Sequence, residues 1–161
     1  MPETAKQVSV WLENKPGRLA SVCTALSGDK VNITAVTIGE SKERSVLRMV
    51  TDDLARTRKV LAALNVPFEE QDVVLVEMRN QPGALAQVCE QLAGEHINID
   101  YAYCSAGTKN GKTIGIFKVS NLAKCLKVLA EGTGTRAKRE GHGGRGWARG
   151  GKGRPTPSGG E

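Results

Sequence analysis

One short pattern, Asn-x-Pro-Gly, occurs twice in the chain and has the chemistry to bind a charged small molecule. It occupies residues 14–17 and residues 80–83. An asparagine side chain can accept a hydrogen bond from an ammonium group and donate one to a carboxylate. Glycine lets a ligand approach the backbone, and proline suits a first helical turn because it has no N–H to leave unpaired. The pattern therefore predicts two sites for a zwitterion. The residues concerned are Asn14, Pro16 and Gly17 in the first copy and Asn80, Pro82 and Gly83 in the second.

Each pattern lies where a strand is expected to pass into a helix. The preceding runs, Val8–Glu13 and Val74–Arg79, are rich in Val and Leu, and Asn-x-Pro-Gly ends them. The following residues place apolar side chains at i, i+3, i+4 and i+7, which predicts a helix with one buried face. These side chains are Leu19, Val22, Cys23 and Leu26, and Leu85, Val88, Cys89 and Leu92. A helix N-terminus attracts negative groups, so both strand-to-helix junctions suit a carboxylate. The alternative is that each asparagine only caps its helix.

The two patterns belong to a longer internal repeat. A shift of 66 positions aligns residues 14–33 with residues 80–99, and 11 of the 20 aligned pairs are identical. Average residue usage predicts about one or two identities by chance, so the chain contains a duplication. The repeat includes a second polar position, Asn32 and its counterpart Asn98, where asparagine could serve a ligand or a turn.

Both copies are expected to follow the order β-α-β-β-α. Gly28 and Gly94 are placed to end the first helices. The first copy continues into a short fourth strand at 66–71, whereas the second copy runs into glycine-rich sequence and is expected to lack its last strand. The remaining strands are expected at 32–38, 45–51, 98–104 and 113–120, and the second helices at 52–64 and 121–131.

These elements predict an α+β fold of two ferredoxin-like βαββαβ domains in tandem. The first domain is expected at 1–71 and the second, truncated one at 72–131, followed by a tail at 132–161. The tail holds seven Lys or Arg against two Glu, and 11 of the 19 glycines, so it accounts for most of the net charge of +6. Such a segment buries too little apolar surface to offset the entropy of ordering, and we expect it to be disordered.

The duplicated motif resembles the ACT domain over about residues 6–131. The matching runs are 13–19 with 31–33 and 79–85 with 97–99. The resemblance implies two ferredoxin-like domains packed side by side, with a free amino acid bound at the interface between them. Carried to the matching positions, it implies that Asn14 acts with Asn98 in one site and Asn80 with Asn32 in the other.

Four further positions are expected to influence specificity. Some serine-binding relatives in the ACT family carry histidine two residues before the loop asparagine, where this chain has Leu12 and Met78. The lost polar contact leaves room for an apolar ligand side chain. The second strands also differ, with Thr34 in one copy and Asp100 in the other, so the two sites need not bind alike.

Other classes of function find little support in the sequence. The four cysteines show no C-x-x-C pair and no metal-like spacing, so no metal site is expected. Neither His96 nor His142 has an evident nucleophile partner, and no nucleotide-binding glycine loop is present, so we expect neither an enzyme nor a cofactor. Apolar runs fall far short of the roughly 18 residues that cross a membrane, and no secretory signal is visible. These features predict a cytoplasmic protein that does not bind membranes.

The sequence favours a non-enzymatic regulatory protein that binds a free amino acid. Two alternatives stay open: a regulatory subunit that docks on an amino-acid biosynthetic enzyme, and contact with nucleic acid through the basic tail, which its composition supports only weakly. Apolar residues on both faces of some strands, such as Val46 beside Leu47, indicate that the sheet surface away from the helices is covered. A homo-oligomer is the expected explanation.

Overall fold

The fold is a six-stranded antiparallel sheet with helices packed on it. A computed structural model describes residues 2–40, 43–105 and 111–132. The strands lie in the order β2-β3-β1-β4-β6-β5. The first unit comprises β1 (Glu3–Glu13), α1 (Arg18–Gly28), β2 (Ile33–Glu40), β3 (Arg44–Thr51) and α2 (Leu54–Ala63). The second unit comprises β4 (Phe68–Arg79), α3 (Ala84–Gly94), β5 (Ile99–Cys104), β6 (Lys112–Val119) and α4 (Leu122–Gly132). This arrangement confirms the α+β class and two βαββαβ-like units. The predicted tail beyond Gly132 lies outside the described residues.

Strand β4 is continuous and serves both units. The sequence predicted two separate strands at 66–71 and 74–79, and this division is wrong, because Phe68–Arg79 forms one strand. Its first half pairs with β1, from Phe68 opposite Val10 to Leu75 opposite Glu3, and its second half pairs with β6. The expected boundary between residues 71 and 72 therefore falls inside a strand.

The first half of β1 takes the place of the strand that the second unit lacks. Strand β1 begins at Glu3, five residues before the predicted start, and its residues 3–7 pair with residues 75–71 of β4. Lys6 and Asp72 face each other across this pair with their charged groups 2.8 Å apart. Each long strand is thus the first strand of its own unit and the last strand of the other.

Each unit buries its helices against one face of its own strands. In the first unit, Val22 of α1 and Leu61 of α2 pack with Val10 and Leu47 of the sheet, and all four are at most 1% exposed. The second unit repeats this packing with Leu92, Cys125, Val74 and Phe117, each 0% exposed. The predicted helical stripes are confirmed at Val22, Leu26, Val88 and Leu92, which are buried.

Leu19 and Leu85 depart from the predicted stripe. Both were expected to be buried, yet they are 38% and 47% exposed, respectively. Each lies in the first turn of its helix, next to the Asn-x-Pro-Gly corner, and projects past the end of the core. The first turns of α1 and α3 therefore present an apolar side chain at the corners.

The face of the sheet that does not carry the helices is also partly buried, because side chains from its two halves pack against each other. Ala35 and Val50 of the first unit form one cluster with Val73, Leu75 and Ile116 of the second, and β2 contacts β5. Since β2 and β5 are the two edges of the sheet, this contact requires the sheet to curl until its halves meet. The covering that the sequence pattern indicated is therefore intramolecular for these side chains.

A polar network crosses this curled face. Gln7 is 0% exposed, and its Nε2 donates to Ser9 Oγ at 3.1 Å, Gln71 Oε1 at 3.0 Å and Tyr101 Oη at 2.7 Å. Tyr103 Oη donates to Gln7 Oε1 at 2.9 Å. Burial, with a smaller contribution from Tyr101, raises the pKa of the Tyr103 hydroxyl, so it remains a neutral donor. The network ties β5 of the second unit to β1 of the first.

Candidate functional site

The two Asn-x-Pro-Gly corners have nearly identical backbones. We define the first corner as residues 13–18 and the second corner as residues 79–84. In each, a glycine with a left-handed backbone precedes the helix: Gly17 has φ 85° and ψ −11°, and Gly83 has φ 85° and ψ −10°. A residue with a side chain is disfavoured at such a φ. The glycines therefore serve the turn itself, and any difference between the corners comes from their other side chains.

Neither asparagine caps a helix. Gly17 and Gly83 occupy the N-cap positions, and neither helix has a side-chain hydrogen bond at its cap. The interpretation of Asn14 and Asn80 as simple caps is therefore wrong. The expectation that Pro16 and Pro82 begin the helices is also wrong, since both lie in the turn before the first helical residue. Both asparagine side chains are exposed and lie at the two strand-to-helix junctions.

A recess with a volume of about 310 Å³ opens beside Asn80 at the second corner. Its apolar wall comprises Met78, Ala84 and the exposed Leu85, and the end of β5 contributes Cys104 and Ser105. The backbone N–H of Asn80 donates to Gly111 O at 2.8 Å, which holds the corner against the start of β6. The recess therefore combines an amide side chain, an apolar wall and a fixed backbone.

Arg79 is the cationic residue of this recess. It lines the cavity and is exposed, and no ion pair to Arg79 is present among the described residues. Arginine binds carboxylates well because its guanidinium offers two parallel N–H donors. The lining therefore includes two residues, Arg79 and Asn80, whose side chains can donate to a carboxylate.

The first corner carries an internal ion-pair cluster instead. Glu13 Oε2 lies 3.1 Å from Lys15 Nζ and 3.0 Å from Arg18 Nη2. Hydrogen bonds from Lys15 and then Arg18 lower the pKa of the Glu13 carboxyl, so it stays ionised at neutral pH. The repeat places Arg79 where the first corner has Glu13, and Ala84 where it has Arg18. The difference is visible when the two copies are aligned, but it lies at positions where the copies are not identical.

The second pair of asparagines lies elsewhere. Asn32 N–H donates to Asp52 Oδ1 at 2.9 Å, and Asn98 N–H donates to Ser120 Oγ at 3.0 Å. Both precede strands that run parallel to the strand ending at their own corner, so each lies at the far end of its unit from that corner. Among the described residues no hydrogen bond joins Asn14 to Asn98 or Asn80 to Asn32, and neither Asn32 nor Asn98 lines the recess. The resemblance pairs each of them with the corner of the other unit, and because β1 and β4 are antiparallel, Asn98 lies at the same end of the sheet as the first corner and Asn32 at the same end as the second. These pairings stay predictions.

The four specificity candidates have different surroundings. Leu12 is 5% exposed and belongs to the first core, whereas Met78 is 7% exposed, belongs to the second core and also lines the recess. Thr34 is half-buried in β2. Asp100 is exposed and accepts a hydrogen bond from Asn98 Nδ2 at 2.9 Å. Of the four, Met78 is the one placed at the recess.

Metal binding and membrane spanning were the other functional classes considered from the sequence. Within residues 2–40, 43–105 and 111–132, no three His, Cys, Asp or Glu side chains are grouped so that they could hold a metal ion. No helix in this part of the chain is long and apolar enough to cross a membrane. The basic tail proposed for contact with nucleic acid lies outside the described residues.

Comparison with protein families identifies the duplication. The family profile described as an ACT domain pair matches residues 3–134. The chain belongs to the ACT domain family. This ACT domain pair is similar to protein BT0572 from Bacteroides thetaiotaomicron, with 35% identity over 82% of this chain and 90% of that chain, and a TM-score of 0.75.

More distant structures share the fold of this ACT domain pair. The regulatory subunit of aspartate kinase from Thermus thermophilus, in its ligand-free form, is 16% identical over 81% of this chain and 95% of that chain, with a TM-score of 0.58. A structure of the aspartokinase alpha and beta subunits is 17% identical over 81% of this chain and 97% of that chain, with a TM-score of 0.52. A search of curated proteins found no match.

Proposed function

We propose that this ACT domain pair is a non-enzymatic regulatory protein that binds a free amino acid at its Asn-x-Pro-Gly corners. The recess beside Asn80 is the observation that carries the proposal, because Asn80, Arg79 and an apolar wall of Met78, Ala84 and Leu85 line one cavity. A guanidinium suits the carboxylate of an amino acid, an amide oxygen can accept from its ammonium group, and the apolar wall suits an apolar side chain. Ligand binding would regulate by favouring one arrangement of the units over another.

A second copy of the chain would complete the site. The resemblance to ACT domains pairs each loop asparagine with an asparagine that opens a second strand, and no hydrogen bond joins these residues within the described part of the chain. Strand β2 is an edge of the sheet and exposes Val36 and Ile38, which are 46% and 48% accessible. Apolar side chains on an exposed sheet edge favour association. A homo-oligomer formed through β2 would bring Asn32 of one copy towards a corner of another.

A regulatory subunit that docks on an amino-acid biosynthetic enzyme is the second candidate. It is favoured by the shared fold with the regulatory subunit of aspartate kinase from Thermus thermophilus, of which this chain covers 95%. The two candidates differ in what the isolated protein does. An amino-acid sensor binds its ligand alone, whereas a docking subunit could require its enzyme to form a complete site.

Isothermal titration of the chain with each of the twenty amino acids tests the proposal. We expect at least one to bind, and Asn80→Ala to weaken that binding about tenfold or more, because a hydrogen bond to a charged group contributes about 1.5–3 kcal/mol. Gln87→Ala, an exposed change on the same helix, is the matched control and should bind normally. Failure of every amino acid to bind would remove the sensor and favour the docking subunit.

A further inference from the structure

The duplicated corners have diverged in a way that assigns them different roles. Their backbones agree within 1° in φ and ψ at the glycine, so the fold offers the same loop twice. Three loop positions differ in charge or size: Glu13 against Arg79, Lys15 against Gln81, and Arg18 against Ala84. Only side-chain chemistry can therefore make one corner bind a ligand and the other not.

We propose that the second corner alone binds the amino acid, that Arg79 binds its carboxylate, and that Glu13 and Arg18 close the first corner. The proposal rests on the amino-acid-binding function and goes further by naming the corner and the residue. The ligand class is an α-amino acid with an apolar side chain, because Met78, Ala84 and Leu85 form the apolar wall of the recess.

Charge supports this assignment. At the second corner Arg79 lines the recess and has no acidic partner among the described residues. At the first corner, Glu13 already forms ion pairs with both nearby cations, with N···O distances of 3.1 Å to Lys15 and 3.0 Å to Arg18. A ligand carboxylate entering there would have to displace Glu13 and would then lie beside a like charge. These side chains are about half exposed, so solvent screens the repulsion and charge alone does not exclude the ligand.

Size provides the second reason. The recess exists where Ala84 begins α3, since a methyl side chain leaves the space in front of Met78 open. The first corner places Arg18 at the matching position, and its guanidinium is held back over the corner by Glu13. An arginine at this position is much larger than the alanine of the second corner. Together, the ion pairs and the bulk of Arg18 disfavour binding at the first corner.

Calorimetric titration with L-leucine and L-methionine tests the inference. The intact chain should bind one molecule per chain, and Arg79→Gln should weaken binding about tenfold or more, as expected for a lost charge-assisted hydrogen bond. Ala84→Arg should abolish binding by filling the recess. Gln87→Ala, an exposed change on α3 outside the recess, is the matched control and should leave the affinity unchanged. L-leucinamide, which lacks the carboxylate, should bind the unmodified protein as weakly as L-leucine binds the Arg79→Gln variant.

A variant that carries the second corner's residues at the first corner tests the inference in the opposite direction. Glu13→Arg combined with Lys15→Gln and Arg18→Ala gives the first corner the loop side chains of the second and should raise the stoichiometry from one to two. Two molecules bound by the unmodified chain, or an unchanged affinity in Arg79→Gln, would overturn the inference and leave the amino-acid-binding function standing. Preference for a polar amino acid would overturn the ligand class. Absence of binding by all twenty amino acids would instead refute the underlying function.

Discussion

Single residues determine whether the buried polar face of the sheet stabilises the fold or costs it stability. Gln7 is fully buried and serves as donor to Gln71 and Tyr101 and as acceptor for Tyr103. Its amide has two hydrogens, so it makes at most two of its three donor contacts at once. The hydroxyls of Ser9 and Tyr101 also donate hydrogen bonds to Gln71 Oε1, at 3.0 and 3.1 Å, respectively. The network is thus satisfied only while every member is present.

Replacing Gln7 should reveal this dependence. Gln7→Leu keeps a side chain of similar size but leaves the Tyr103 hydroxyl without its acceptor inside the protein. We expect the free energy of unfolding to fall by about 1–3 kcal/mol, the usual cost of burying an unsatisfied polar group. Urea denaturation measures the change, and Gln87→Leu on the exposed face of α3 provides a comparison that should differ little from the unmodified chain. Equal stability of the two variants would show that the network contributes nothing.

At the scale of elements, the corners were predictable and the long strands were not. The repeated Asn-x-Pro-Gly pattern predicted two strand-to-helix junctions, and glycine at positive φ now accounts for it at both. The predicted strands at 66–71 and 74–79 broke around Asp72, and aspartate has little strand propensity of its own. Pairing with the equally polar start of β1 overrides that propensity. The recess also escaped prediction, since it depends on which side chains the duplication did not preserve.

The left-handed turn before α3 makes a prediction about glycine. Gly83→Ala should destabilise the protein by about 1 kcal/mol, because an L-residue is disfavoured at a φ of 85° while a new Cβ would meet nothing within 4 Å. Gly94, at the other end of α3, also has open space around its Cβ position but has no positive φ. Gly94→Ala should therefore be neutral or stabilising, since alanine favours helix. Thermal unfolding of the two variants gives the sign, and a shared sign would contradict the backbone explanation.

At the scale of the whole molecule, the two units cannot be separated by cutting between them. Strands β1 and β4 each complete both units, and a third core joins Ala35 and Val50 to Val73 and Ile116. The sequence revealed two repeats but not this exchange, because a repeat pattern reports local similarity and not which strand pairs with which. Sharing of strands also explains how the second unit folds although α4 is its last described element: the missing strand comes from residues 3–7.

Shared strands predict that the whole protein unfolds in one cooperative transition. Leu92→Ala, in the core of the second unit, should cost about 2–5 kcal/mol because it leaves a cavity at a site that is 0% exposed. If the units are coupled, this loss should reduce hydrogen-exchange protection equally for the slowest-exchanging amides of the first unit, such as those of Val10 and Leu47. Calorimetry of the unmodified chain should likewise give equal calorimetric and van't Hoff enthalpies. Leu26→Ala, the matching change in the first unit, should have the reciprocal effect on amides of the second. Two separate transitions, or loss of protection confined to the altered unit, would show that the shared strands do not couple the ACT units, and regulation by a ligand at the second corner would then require a different route to the first.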